Sequence, residues 1–246
     1  MGAVSRSGLL RLPPAPLSLI DVDQFRAEPR RVAVVRGVPR PTLVLGSTQP
    51  EAVVSADALE AHGVGLARRR GGGGLVYLDP ADPLWLDAWI PRDDPLWVAD
   101  VAAAAEWIGA WWTRALAEVG VAGVHVHAGR AVPGEYGELI CFAGRGPGEV
   151  FVGGRKVVGL SQWRAREGAL FSSCAYLRWD PVAMVGLLEV ADARRRELDA
   201  GLREVAVGLG DLDPPLRDLA VLRDRLLASF PSFELSGGSE EATGSP

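Results

Sequence analysis

Cysteine is nearly absent from this 246-residue chain, which has only Cys141 and Cys174. Two are too few for a disulfide framework and lack the local spacing of a zinc site, which fits a reducing cytoplasm. No stretch reaches the roughly 18 to 20 apolar residues of a membrane span. Residues 1–19 carry some arginines and leucines, but Pro13, Pro14 and Pro16 interrupt the apolar core that a signal peptide requires. A cytoplasmic protein without a membrane partner is therefore expected. Excess positive charge is also lacking: the net charge is −5 and the pI about 5.3. Nucleic acid is not an expected partner, and any polyanion contact must come from local arginine clusters.

Lysine is scarcer still. Lys156 is the sole lysine in a chain whose lysines and arginines together number 26. Arginine serves almost wherever a cation is needed, as under a strong G+C coding bias, so a lone ammonium suggests a site where a guanidinium will not do. Lysine supplies a compact point charge with three rotatable donors, whereas the planar fork of arginine cannot reorient around a small reacting centre. The plain alternative is one leftover surface lysine.

What the chain does have is apolar content, 48% with a mean hydropathy of +0.12. That is enough for one sizeable core, and one domain with a small helical appendage is expected. Glycine is concentrated in Arg68-Arg69-Arg70-Gly71-Gly72-Gly73-Gly74, which leads into a strand over residues 75–78 ending at Asp79. Four glycines lose much backbone entropy on folding and are kept where the backbone must approach something closely. Bare N–H groups beside guanidinium forks suit a carboxylate or phosphate; a flexible connector with a solvated charge run is the alternative. A second glycine motif, Gly153-Gly154, lies between residues 149–152 and 155–158 and signals a two-residue hairpin that starts a strand at Lys156.

Residues 31–38 and 41–45 read as strands joined tightly through Pro39, and 51–62 as a short helix. In 84–90, a period of two sets Trp85, Asp87 and Trp89 on one face, as the wall of a ligand channel or as a second core layer. Asp94-Pro95 opens a long helix ending near Gly120, whose stripe is Val98, Val101, Ala105, Ile108, Trp112, Ala115 and Val119, with Trp107 and Trp111 at its margins. The strand 121–128 puts His125 and His127 on one face, as a partial metal site or ordinary polar positions. A meander follows: strand 138–143, the Gly153-Gly154 hairpin, a turn at 166–168 and strand 169–177. Cys141 and Cys174 read as small core residues within it. Asp180-Pro181 and Asp213-Pro214 open helices, the second burying Leu216, Leu219, Leu222, Leu226 and Phe230. Arg194-Arg195-Arg196 reads as a solvated helix face.

Taken together, the two motifs resemble the catalytic domain of the lipoate-protein ligase A family, which shares its fold with biotin protein ligases and octanoyltransferases. Leu66-Ala67-Arg68-Arg69 with Gly72-Gly73-Gly74 matches the first family motif, and Gly154-Arg155-Lys156-Val157-Val158-Gly159-Leu160-Ser161 the second. Val44-Leu45-Gly46-x-x-Gln49 resembles an early strand-loop of the family. The resemblance implies an α+β fold of the class II synthetase, biotin-lipoate ligase-like type, a mixed sheet packed with helices. The implied layout is an irregular segment over 1–30, a catalytic domain over 31–190, C-terminal helices over 191–235 packing on the same domain, and a disordered tail over 236–246.

The resemblance also implies chemistry. A carboxylate, lipoate or octanoate, reacts with ATP to give an acyl adenylate, and the acyl group passes to a lysine of a carrier domain. That carrier would be a dehydrogenase-complex acyltransferase subunit or a glycine-cleavage carrier protein. Lys156 is the implied catalytic residue, neutralising charge between carboxylate and α-phosphate. Substrate and adenylate binding falls to Arg69, Arg70, Gly72, Gly73, Gly74, Tyr77, Gly159, Ser161, Ser172 and Ser173, and Mg2+ to Glu138. The chain departs from the pattern at Leu78, where many members have histidine before the aspartate, at Ser172-Ser173 in place of His-Gly, and at Gly137-Glu138 in place of Asn-Asp. After about residue 190 too little chain follows for the accessory domain of the larger ligases. A separate accessory protein, ATP-independent acyl transfer through Cys141 or Cys174, a non-catalytic ligand-binding member and biotin ligation all stay open.

Overall fold

A computed structural model describes residues 25–231, so the tail expected at 236–246 lies outside the described residues, as does most of the irregular segment expected at 1–30. The larger of two sheets has six strands in the order β1-β5-β9-β8-β7-β6, every neighbouring pair antiparallel. These are β1 Val32–Arg36, β5 Leu84–Pro91, β6 Val124–Val126, β7 Val150–Val152, β8 Arg155–Arg164 and β9 Gly168–Ala175. The smaller sheet, β3-β2-β4, comprises β2 Thr42–Leu45, β3 Gly65–Arg68 and β4 Val76–Leu78. Among the described residues no helix is long and apolar enough to cross a membrane.

β5 lies between β1 and β9 in the large sheet, and all eight of its residues are buried. Leu84, Leu86, Ala88 and Ile90 enter the core beneath helix α2, Val101–Glu118, while Trp85 and Trp89 pack on the opposite face. Asp87 shares that second face, where it accepts from Arg36 Nε at 2.8 Å and from Trp85 Nε1 at 2.9 Å. Of the two readings of this face, the second core layer is the one adopted: Trp89 stacks on Phe25 with ring centroids 6.2 Å apart.

Helix α2 begins six residues later than the Asp94-Pro95 pair suggests. Asp94 instead holds Arg31 at 2.9 Å and closes a local turn onto the Leu96 N–H. The carbonyls of Val98 and Ala99 are taken by the Arg164 guanidinium at 2.7 and 2.8 Å, which keeps them out of a helical ladder. Asp100 is then the cap, accepting from the Ala103 N–H at 2.8 Å. The buried stripe shifts accordingly to Ala104, Ala105, Ile108, Trp111, Trp112, Ala115 and Leu116, leaving Val101 58% exposed. Gly109 sits in mid-helix where propensity alone favours alanine by about 1 kcal/mol. A Cβ there would stand 2.3 Å from the Gly148 carbonyl oxygen. Gly109→Ala is therefore expected to destabilise the fold by about 1–3 kcal/mol, the cost of overpacking, as a lowered urea midpoint.

The region 51–62, expected as one helix, divides into a 3-10 turn at Glu51–Val53 and α1, Ala56–Ala61. α1 serves as the crossover that lets β3 pair parallel to β2. Segment 138–143 also differs from expectation: it is not a strand but a single bridge from Ile140 to Leu75 followed by a 3-10 turn, Cys141–Ala143. The Gln49 side-chain amide takes the Glu138 carbonyl at 3.0 Å and shares the Leu139 carbonyl, at 2.9 Å, with the Leu75 N–H of that bridge, and the 3-10 turn then ends the pairing. The hairpin is as expected, with Gly153 and Gly154 both at positive φ, 55° and 81°.

Three helices close the chain: α3 Val182–Gly186, α4 Asp192–Val205 and α5 Leu219–Ser229. α5 starts after Asp218, whose carboxylate accepts from the Ala220 N–H, and not at Asp213-Pro214. Its Leu222, Leu226 and the following Phe230 join α2 in the first core, while Leu198 and Leu202 of α4 join the small sheet in the second.

Candidate active site

The glycine stretch is pinned. The Arg69 N–H donates to the Leu45 carbonyl at 2.9 Å, carrying the β2–β3 pairing one residue further. The chain then curls around the Arg69 side chain, whose Nη2 donates to the carbonyls of Gly72 at 2.7 Å and Gly74 at 2.8 Å. Three close approaches require the missing side chains. A Cβ on Gly46 would lie 1.9 Å from the Gly73 oxygen, one on Gly74 2.5 Å from the Ile140 backbone, and one on Gly71 2.7 Å from Ser161 Oγ. The loop is thus a packed wall, and the flexible-connector reading does not describe it.

Arg69 is only 4% exposed, and among the described residues its Nε and Nη1 are buried without any hydrogen-bond partner. A buried guanidinium edge without acceptors is costly unless something else supplies them. Its chemistry fits an anionic oxygen such as a phosphate.

Lys156 approaches the same place from β8. It is 1% exposed, with Nζ donating to the Cys141 carbonyl at 2.7 Å and paired with Glu149 Oε2 at 2.6 Å. The rings of Phe142 and Phe151 lie 5.7 and 6.0 Å from Nζ. Arg69 Nη2 holds the Gly74 carbonyl, Gly74 lies against the Cys141 backbone, and Lys156 holds the Cys141 carbonyl, so the two cations meet at the Cys141 turn. β8 pairs Lys156 with Phe151 but Val158 with Val150, and this bulge turns both Val157 and Val158 into the first core. Gly159 follows against Phe142, where a Cβ would stand 2.8 Å from the ring.

Glu149 was not singled out from the sequence. It accepts from the Gly146 N–H at 2.6 Å and from the Leu160 N–H at 3.4 Å besides its contact with Lys156. Burial raises its carboxyl pKa, opposed by Lys156 and these N–H groups. The hairpin signal contained this contact, because pairing outward from Gly153-Gly154 brings residue 149 alongside β8. Glu138, expected to hold magnesium, is exposed, and its carbonyl accepts from the Gln49 side-chain amide at 3.0 Å. Among the described residues no three His, Cys, Asp or Glu side chains cluster as a metal site.

The remaining residues divide by face. Ser161 lies against Gly71 and pairs across to Ser172, which in turn pairs with Asp87. Ser173, expected with them, points to the other side of the sheet: its Oγ accepts from Trp112 Nε1 at 3.0 Å and donates to the Leu86 carbonyl at 3.1 Å. Strand alternation makes only one of two adjacent serines available. Arg70 is exposed at the rim, 6.0 Å from the Trp163 ring centroid. Tyr77 is half-buried, and its carbonyl accepts from the Tyr176 hydroxyl at 2.6 Å. Leu78, where the resemblance has histidine, is a core residue at 2% exposure. His125 and His127 both pack on Phe151, at 5.9 and 6.2 Å between ring centroids, as ordinary polar positions.

Neither cysteine is set up as a nucleophile. Burial raises the Cys141 thiol pKa and raises that of Cys174 well above its usual value, the reverse of what a thiolate needs.

An α+β fold of the class II synthetase, lipoate/biotin ligase type, with a buried lysine and a glycine-wrapped arginine on one face of its sheet, defines the class of protein. The profile of the lipoyl protein ligase A/B catalytic domain matches residues 23–231, and the chain belongs to that enzyme family. Among solved structures it is similar to a bi-partite lipoate protein ligase from Thermoplasma acidophilum, studied with its E2 lipoyl domain, at TM-score 0.69 and 19% identity over 90% of this chain and 81% of that one. It is also similar to lipoate-protein ligase A bound with ATP, at 0.66 and 19% over 90% and 83%. A third is a putative lipoate protein ligase from T. acidophilum with bound lipoic acid, at 0.64 and 18% over 89% and 81%. No curated protein matches the chain.

Proposed function

We propose that this protein activates lipoate or octanoate with ATP and transfers the acyl group to a lysine of a lipoyl carrier domain in the cytoplasm. The observation that carries the reading is the unpartnered buried edge of Arg69, whose Nη2 holds Gly74 against the Cys141 backbone while Lys156 holds the Cys141 carbonyl. Two cations so placed suit a carboxylate meeting an α-phosphate, where negative charge accumulates in a water-poor site. A carboxylate oxygen attacks the α-phosphorus, and the bond from that phosphorus to pyrophosphate breaks. The carrier amine then attacks the acyl carbonyl, loses a proton and displaces AMP. Arg69 holds the phosphate, Lys156 bridges the reacting oxygens with its third N–H, and Glu149 with the Cys141 carbonyl fixes its aim. Gly72 to Gly74 offer bare backbone to the ligand, with Ser161 and Ser172 as polar neighbours.

A carrier from a dehydrogenase-complex acyltransferase or a glycine-cleavage system would supply the lysine, with or without a separate accessory protein. One observation favours a binding-only member: the Lys156 ammonium is closed off in an ion pair. The test is pyrophosphate exchange into ATP with lipoate, octanoate or biotin, then transfer to a carrier domain. Exchange with lipoate or octanoate is expected. Lipoate affinity by calorimetry without exchange would mark the binding-only member, exchange with biotin alone would redirect the substrate, and ATP-free transfer through a trapped acyl-cysteine would overturn the mechanism.

A further inference from the structure

A second charged cavity, of about 350 Å3, opens where β8 begins. Three arginines from separate elements converge on it: Arg155 from the start of β8, Arg178 from the segment after β9 and Arg203 from the last turn of α4. Trp179, Ala206 and Val207 form the floor. Arg203 is already engaged, with Asp180 at 2.9 Å and Asp199 at 3.0 Å. Asp211, the other acid on the lining, accepts from the Trp179 N–H at 3.1 Å. Among the described residues the Arg155 and Arg178 guanidiniums have neither a hydrogen bond nor an ion pair.

We propose that this cavity is a second ligand site, taking a compact phosphoryl oxyanion such as phosphate or the phosphate of an ester. Two unengaged forks present more donors than the two oxygens of a carboxylate accept well, whereas a phosphate has the oxygens and the charge to engage both. The site shares no side chain with the Arg69–Lys156 cluster, but it is linked to it through backbone. Val207, on the floor, donates its N–H to the Lys156 carbonyl at 3.0 Å, and Arg155 directly precedes Lys156. An anion that ties Arg155 to the segment after β9 therefore steadies the strand that carries Lys156.

The test is titration of the full chain with inorganic phosphate at constant ionic strength, followed by calorimetry and by the Nε–H resonances of Arg155 and Arg178. Both resonances are expected to shift, and Arg155→Gln with Arg178→Gln to weaken this binding about tenfold or more, the value of charge-assisted hydrogen bonds. Unmoved resonances, unchanged affinity in the double variant, or equal shifts produced by chloride would overturn the proposal. An acidic peptide that binds here when phosphate does not would overturn it too. Failure of acyl activation leaves these readouts untouched, so the two readings fall separately.

Discussion

Lys156→Ala is expected to lower pyrophosphate exchange with lipoate by about 10²–10³-fold, the loss that follows removal of one preorganised donor from an active site. The ammonium lies 2.7 Å from the Cys141 carbonyl and 2.6 Å from Glu149, in a pocket bounded by Phe142 and Phe151. A guanidinium is wider and planar, so Lys156→Arg is not expected to rescue the rate. The alanine variant alone also strands Glu149, 3% exposed, as a buried carboxylate. Removing one partner of a buried pair costs about 3–5 kcal/mol, so a drop in activity needs a control for folding. Lys156→Ala with Glu149→Gln removes both charges and should regain much of that stability by thermal melt while remaining inactive. Wild-type exchange rates in this double variant would show that Lys156 has no part in the chemistry.

A stability effect of the same size is expected away from the chemistry, at Arg36 and Asp87. Asp87 is fully buried at the centre of β5, and its carboxylate is satisfied by Arg36 Nε and Trp85 Nε1. Arg36→Ala leaves that carboxylate without its cation, and a loss of about 3–5 kcal/mol is expected. Replacing both, as Arg36→Met with Asp87→Leu, should cost less, because no charge is left unpaired and the main remaining loss is the acceptor of the buried Trp85 Nε1–H, about 1–3 kcal/mol. Urea denaturation of the three proteins distinguishes the outcomes. Equal destabilisation by the single and double changes would mean that packing of these side chains, and not their charge, is what matters.

Local signals were read well where the backbone itself carries them. The Gly153-Gly154 hairpin, the alternation in β5 and the strand after the glycine loop all follow from steric preferences within a few residues. Helix starts were read less well. Asp94 and Asp100 are equally good caps by composition, and the choice between them rests on Arg31 and Arg164, which come from distant parts of the chain. Segment 138–143 has strand composition, but its pairing is a single bridge to Leu75 ended by a 3-10 turn, with its carbonyls also held by Gln49, some 90 residues earlier in the chain. Ser172 and Ser173 look interchangeable in one dimension, but strand alternation assigns one to the site and the other to Trp112.

By itself the sequence determined the family, the two motifs and the singularity of Lys156, because those depend on residue identity and spacing. Tertiary structure alone decided that the acid at Lys156 is Glu149, that Gly71 and Gly74 of the glycine run are packed against neighbouring chain, and that one edge of Arg69 lacks a partner among the described residues. Burial and pairing belong to the whole fold: a guanidinium counts as unsatisfied only once every neighbour that excludes water from it is in place.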